Sequence, residues 1–246
     1  YEDSSSILQI LVTGSHLSDT HGLTYKTIEN DGFNIDEKVE ILSDSDAPID
    51  IAKSMGHGFI GFADALNKLC PDLIVVLGDR YEIFSAVSTA LVMNIPVAHL
   101  HGGEVTEGAI DESLRHSITK MSHLHFVATD EYRQRVIQLG EDPNNVFKVG
   151  GLGIDNIKKI DLLDKKSLEA ELEFSLGDKN LLITFHPVTL EKGLAEIHAK
   201  ELLKSLKKLK NTNLIFTMPN ADADGNKIMQ LIEDFVSKHN NAAVYK

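Results

Sequence analysis

Short apolar runs, each followed by a polar or glycine turn and then a helical segment, recur along this chain. In one example the run Asp72–Leu77 leads into Gly78-Asp79-Arg80, and a helical pattern follows over Tyr81–Met93. Fully apolar strands that alternate with helices are typical of a parallel sheet covered on both faces. The pattern therefore predicts an α/β fold built from doubly wound units.

The pattern is interrupted once, which indicates two domains. Predicted strands run from Ile7–Val12 and Val39–Leu42 up to Val146–Val149, and a glycine-rich turn and a charged stretch follow. New strands are predicted at Leu181–Phe185 and Leu214–Met218. We expect a first domain over residues 1–160 and a second, partial domain over 161–246. The abrupt start at Tyr1 and the abrupt end suggest that both termini are missing.

A long amphipathic helix is predicted over Pro48–Leu69, because Pro48 suits a first helical turn and apolar residues recur at spacings of three and four. The predicted buried face consists of Ile51, Met55, Phe59, Phe62, Leu66 and Leu69. This apolar helix is also a candidate surface for contacts between copies of the chain.

Charge and composition exclude some partners. The net charge is −13 without any basic run, so nucleic acid and anionic membranes are poor partners. No apolar run approaches the ~20 residues of a membrane span. The single cysteine, Cys70, is predicted to be a small buried hydrophobe and suits a reducing compartment. We expect a cytoplasmic protein.

The first polar cluster is Gly78-Asp79-Arg80-Tyr81-Glu82, and it follows the apolar run Asp72–Leu77 directly. Ligands of open parallel sheets bind at the carboxyl ends of the strands, so Asp79 is a candidate proton-transfer group. Arg80 and Glu82 are candidate substrate contacts. The alternative is that Asp79 only caps the helix that starts near Tyr81.

The second cluster contains His99 and His101-Gly102-Gly103-Glu104, and it continues to Asp111, Glu112, Arg115 and His116. Glycines allow close backbone approach to a ligand, and the imidazole and carboxylates could supply an acid and a base. Arg115 could hold an anion or orient a carboxylate. The alternative is a solvated loop before a helix N-terminus that acidic residues favour.

Two His-x-His pairs, at His99/His101 and His123/His125, raise the question of a metal site. Cysteines and carboxylates at metal-ligand spacing are absent, so we expect no metal. In the second half, His186 follows a predicted strand and is a candidate ligand contact.

The run from Gly78 to Phe126, together with the segments TFHPVT and MPNADADG, resembles the hydrolysing UDP-N-acetylglucosamine 2-epimerases. This resemblance implies two Rossmann-like domains around a UDP-sugar cleft, the second of them nucleotide-binding, and chemistry without a cofactor. It also implies a homodimer or homotetramer. By the same resemblance, UDP is expected to be eliminated across C1–C2, and water then adds to give the N-acetylmannosamine-type sugar used in sialic acid biosynthesis. The alternatives are a non-hydrolysing 2-epimerase and a nucleotide-sugar-binding fragment without catalysis.

The same resemblance implies roles for individual residues. Asp79 and Asp111 resemble the acid/base pair, and Arg115 resembles a substrate contact or a group that positions a carboxylate. The remaining assignments are substrate contacts: His16, Glu112, His186, Asn220 and Asp222.

One motif departs from the family pattern. Many relatives have Glu where this chain has His101, so that E-G-G-E becomes H-G-G-E. His101, Glu104 or Glu112 is therefore expected to replace the usual catalytic Glu. We interpret the histidine as a subfamily trait that accompanies an altered amino sugar, such as UDP-diacetylbacillosamine. The chain also lacks the family's opening Gly-Thr-Arg loop and its closing Ser/Gly-rich phosphate-binding turn.

Overall fold

A computed structural model describes residues 5–43, 45–191, 193–219 and 224–245. The chain divides into two compact units, and each is described by itself. The first contains the residues up to Ser45 together with Ile49–Ile154, and the second contains Asp46–Pro48 and the residues from Asp155 onward.

The strands of the first unit form two parallel sheets, and helices follow most of them. The elements in chain order are β1 (Leu11–Thr13), α1 (Tyr25–Asn30), β2 (Glu37–Val39), α2 (Pro48–Leu69), β3 (Ile74–Leu77), α3 (Tyr81–Val92), β4 (Val97–Leu100), α4 (Asp111–Met121), β5 (Leu124–Val127), α5 (Asp130–Gln138) and β6 (Val146–Lys148). One sheet pairs β1 with β2, and the other has the order β3-β4-β5-β6. The predicted parallel α/β fold is confirmed.

Helix α6 (Leu152–Lys159) spans the division between the units. The second unit has a parallel sheet of its own, in the order β7-β8-β9. Its elements are α7 (Lys165–Glu171), β7 (Asn180–Thr184), α8 (Ala195–Leu206), β8 (Asn213–Thr217), α9 (Gly225–Val236) and β9 (Ala242–Tyr245). Its core packs α8 and α9 on this sheet through residues such as Ala199, Phe216 and Ile228.

Two strand predictions were wrong in position. The strand predicted over Ile7–Val12 forms only as β1, and Ile7 is 92% exposed. The strand predicted over Val39–Leu42 ends at Val39, although Ile41 beyond it is buried. An apolar run predicts which residues are buried, whereas the limits of a strand depend on which backbone N–H and C=O groups find a partner. Strands β1 and β2 pair over only three residues each.

Helix α2 has the predicted limits, but its buried face is shifted. The buried residues are Ser54, Gly58, Phe62, Ala65 and Leu66. Phe59, which was predicted to be buried, is 38% exposed. The small residues Ser54, Gly58 and Ala65 allow this helix to approach its neighbours closely. A prediction based on hydrophobicity alone does not take small residues into account.

Strand β3 differs from the expectation that both sheet faces are covered. Val75 and Leu77 are 64% and 54% exposed. Strand β3 is an edge strand of its sheet, whereas Val97 and Ala98 of its neighbour β4 are buried. A continuous apolar run thus does not distinguish an edge strand from a central one.

Cys70 is exposed, which corrects the prediction that it is buried. It lies just after α2 with φ of +47°, and its thiol donates to the Asn67 carbonyl at 3.1 Å. Among the described residues, no helix is long and apolar enough to cross a membrane.

Candidate active site

Polar turns follow the carboxyl ends of three strands in the first unit. They are Gly14–Leu17 after β1, Gly78–Arg80 after β3 and the segment 101–110 after β4. Strands β3 and β4 are parallel neighbours, so their turns leave the same sheet edge. Most of the residues singled out in the sequence lie on these turns or on the helices that follow them.

Asp79 lies in the turn between β3 and α3 and forms an ion pair. Gly78 has φ of +84°, and the Asp79 carboxylate Oδ2 accepts a hydrogen bond from Nη2 of Arg115 on α4. The Asp79 side chain keeps 21% of its surface exposed. The N-cap of α3 is Arg80, so the alternative that Asp79 caps this helix is wrong.

Arg115 connects the two polar clusters. Its side chain is only 6% exposed. Besides Asp79, its guanidinium donates to Oγ1 of Thr106 at 2.7 Å and to Oε2 of Glu112 at 3.3 Å. A planar guanidinium with several acceptors has little freedom to rotate. Arg115 therefore fixes the direction in which the Asp79 carboxylate points.

Glu112 holds the loop after β4 against α4. Its Oε2 accepts from the backbone N–H of Thr106 at 2.7 Å, and its Oε1 lies 3.1 Å from Nε2 of His116. Burial acts to raise the pKa of Glu112. The hydrogen bonds from Thr106 and His116, with the charges of His116 and Arg115, outweigh burial and lower this pKa. Thr106 was not anticipated, because a threonine in a loop has no distinguishing sequence pattern.

His101 and Glu104 form a second pair, with 2.6 Å between Nδ1 and Oε1. His101 has φ of +65°, an uncommon conformation outside glycine that often occurs at functional sites. An ionised carboxylate only accepts, so Nδ1 carries the proton and Nε2 of the neutral ring can accept one. Glu104 therefore orients the imidazole and sets its tautomer.

Gly103 anchors this loop on helix α5. It has φ of +79°, and a Cβ atom there would lie 2.5 Å from the Tyr132 carbonyl oxygen. The Arg135 guanidinium donates to the Gly103 carbonyl. The glycine is needed both for the backbone conformation and for the close contact.

The turn after β1 lies beside Glu82. A Cβ on Gly14 would be 2.8 Å from Oε1 of this buried glutamate, and Arg80 donates to Oε2 of Glu82 at 3.3 Å. His16, on the same turn, is exposed and its Nδ1 lies 2.7 Å from Oγ1 of Thr24. The turns after β1 and β3 are thus close together.

The remaining predicted site residues are Asp111, His186, Asn220 and Asp222. Asp111 is the first residue of α4, one helical turn before Arg115 and half-buried. In the second unit His186 is exposed and lies just after β7. Asn220 and Asp222 lie outside the described residues. No group of His, Cys, Asp and Glu in the described ranges is arranged to hold a metal ion.

His99 lies beneath these turns and is fully buried. Its Nε2 lies 2.8 Å from the Gly78 carbonyl oxygen, and its Nδ1 lies 3.2 Å from Oγ1 of Thr119 on α4. Burial lowers the pKa of His99 to about 4. In the sequence His99 was noted only as one member of the polar cluster and of a His-x-His pair.

Parallel sheets with polar turns at the carboxyl ends of their strands define an α/β protein of the Rossmann-like class. Comparison with known families is more specific. The sequence model of the UDP-N-acetylglucosamine 2-epimerase family matches residues 2–246, and the chain belongs to this family.

Two curated relatives are similar to this chain in sequence. The chain is 48% identical to GDP/UDP-N,N'-diacetylbacillosamine 2-epimerase (hydrolyzing) of Campylobacter jejuni, over 98% of this chain and 62% of the relative. It is 40% identical to polysialic acid biosynthesis protein P7 of Escherichia coli, over 94% of this chain and 59% of that protein. The chain thus spans about three fifths of the length of these relatives.

A solved structure shares the fold. The crystal structure of UDP-GlcNAc 2-epimerase from Neisseria meningitidis bound to UDP-GlcNAc matches with a TM-score of 0.74. The match covers 97% of this chain and 64% of that one, at 20% identity.

Proposed function

We propose that the protein is a hydrolysing 2-epimerase of UDP-linked 2-acetamido sugars. The observation with the most weight is the 48% identity, over 98% of the chain, to a relative named as a hydrolysing 2-epimerase. The geometry is compatible, since a partly exposed carboxylate, Asp79, and a His101–Glu104 pair follow adjacent parallel strands.

The preferred sugar is UDP-N,N'-diacetylbacillosamine, and UDP-N-acetylglucosamine is the second candidate. The name of the Campylobacter relative supports this order. So does the interpretation of His101 as a subfamily trait. The same name includes a GDP-linked form, so the nucleotide needs its own test.

The proposed reaction needs two proton transfers. A base removes the proton from C2, the bond from C1 to the UDP oxygen breaks, and the electron pair of the C2–H bond forms the C1–C2 double bond. Water then adds its hydroxyl to C1, and an acid returns a proton to the other face of C2. The products are UDP and the free C2 epimer.

The candidate site residues divide these tasks. Asp79 and Asp111 are the proposed acid and base at C2. Arg115 orients Asp79, and Glu104 keeps the proton of His101 on Nδ1 so that Nε2 faces the reaction as an acceptor. His16, Arg80, Glu82 and Glu112 are proposed to shape the sugar side, and His186, Asn220 and Asp222 the nucleotide side.

Product analysis in heavy water tests the proposal. The intact protein is incubated separately with UDP-N,N'-diacetylbacillosamine, its GDP-linked form and UDP-N-acetylglucosamine. Phosphorus NMR follows release of the nucleotide diphosphate, and mass and proton NMR locate deuterium in the sugar. We expect free UDP and a C2-deuterated epimer, with the bacillosamine derivative turned over fastest.

Other outcomes identify the alternatives. An epimer that keeps its UDP identifies a non-hydrolysing epimerase, and C2 without deuterium excludes elimination. If none of the sugars reacts while calorimetry detects UDP binding, the protein is a nucleotide-binding module without this activity.

A further inference from the structure

The backbone of the Asp79 turn is held by hydrogen bonds rather than by packing. Gly78 has no side chain, and a Cβ at this position would meet nothing within 4 Å. Two hydrogen bonds fix its peptide groups. The Gly78 N–H donates to the Leu100 carbonyl at 3.1 Å, and its carbonyl accepts from Nε2 of His99 at 2.8 Å.

The hydrogen-bond chemistry determines the state of the His99 ring. A carbonyl oxygen only accepts, so Nε2 must carry a proton. Nδ1 lies 3.2 Å from Oγ1 of Thr119, a hydroxyl that can either donate or accept. In the neutral ring the proton is therefore on Nε2, and the Thr119 hydroxyl donates to Nδ1. Full burial suits this neutral form.

Thr119 and Arg115 lie one turn apart on α4, and both are buried. The His99 ring therefore ties the backbone before Asp79 to the same helix face from which Arg115 holds the Asp79 side chain. We propose that His99 is a positioning residue that sets where the Asp79 carboxylate lies relative to Arg115. The kinetic part of this inference rests on the proposed function, whereas the structural part does not.

Two substitutions distinguish the effect of the hydrogen bond from the effect of filling the same space with a side chain. His99→Leu removes both hydrogen bonds. His99→Gln keeps an amide N–H that can reach the Gly78 carbonyl. In the intact protein, with UDP-N,N'-diacetylbacillosamine, we expect His99→Leu to lower kcat about 100-fold, because small misplacements of a reacting group have effects of that order. KM should change little, and His99→Gln should recover most of the rate.

A stability control accompanies these variants. Val146→Ala removes part of a buried side chain from β6, in the same sheet, where the residue packs against Val127 and Val136. It should destabilise the protein yet leave kcat unchanged at a temperature where circular dichroism shows every variant folded. If His99→Leu also keeps the wild-type kcat, or if His99→Gln is as slow as His99→Leu, the positioning role is wrong.

An NMR measurement decides the structural part without activity. In the wild type, two-bond nitrogen–proton correlations should show the His99 proton on Nε2. The carboxyl-carbon resonance of Asp79 should move in His99→Leu and stay near its wild-type position in His99→Gln. An unmoved resonance in the Leu variant overturns the inference, even for an active enzyme. If the wild type releases no UDP while these shifts appear, only the proposed function fails.

Discussion

The Arg115 guanidinium, on α4, donates to the Asp79 carboxylate, which follows β3. These residues are 36 positions apart in the sequence, and they join the two polar clusters into one site. The same guanidinium reaches Thr106 and Glu112, so the loop after β4 is ordered by the group that orients Asp79. The direction of the carboxylate and the shape of the loop are therefore coupled.

Asp79→Asn should abolish turnover and leave UDP binding largely intact. The amide is nearly the same size but cannot act as a base, so chemistry is lost while the nucleotide contacts stay. Rate measurements and calorimetry with UDP check both halves. Asp130→Asn is the matched control, since Asp130 is 77% exposed and forms an ion pair with Lys148 on the surface. A near-normal rate for Asp79→Asn would remove Asp79 from the mechanism.

Arg115→Lys should lower kcat about 100-fold, because an ammonium cannot reach Asp79, Thr106 and Glu112 together and the carboxylate turns out of position. UDP affinity should change much less. Arg133→Lys offers a control on α5, where the guanidinium donates to the Val146 and Pro143 carbonyls and contacts no candidate catalytic group. Equal kcat values for both variants would show that the Asp79–Arg115 pair has no special role.

Sequence patterns anticipated the parallel α/β class and the limits of α2, because helix periodicity and the proline at the first turn are local signals. They misplaced β1 and β2 and the buried face of α2. Those features depend on partners far along the chain. The exposure of Cys70 likewise depends on the conformation of the chain as it leaves the helix.

The sequence identified the residues of the candidate site but not the contacts between them. From position alone Asp79 could be a helix cap, and only the fold shows that Arg80 is the N-cap while the Asp79 carboxylate meets Arg115. The buried bridge from Gly78 through His99 to Thr119 joins three elements and has no sequence signature. The catalytic roles of Asp79, Asp111, His101 and Glu104 remain predictions.

Gly103→Ala should destabilise the protein by clearly more than Gly150→Ala. Both glycines have positive φ, +79° and +88°, so each substitution lowers the free energy of unfolding by about 1–2 kcal/mol through the backbone conformation. Only the alanine at Gly103 also meets the Tyr132 carbonyl, at 2.5 Å, whereas a Cβ at Gly150 meets nothing within 4 Å. Urea unfolding measures the difference between the two variants. Equal losses would show that the loop does not pack on α5 in this way.

Acid should weaken the folded state partly through His99. Burial lowers its pKa from 6.5 to about 4, so between these pH values the unfolded chain binds more protons and the free energy of unfolding rises with pH. The contribution is present above pH 6.5, amounts to about 3 kcal/mol, and is lost as pH falls toward 4. Urea unfolding between pH 4.5 and 7.5 measures it. His99→Gln should flatten the slope, leaving a smaller one from His125, whose pKa burial also lowers. An unchanged slope in His99→Gln would show that His99 titrates normally.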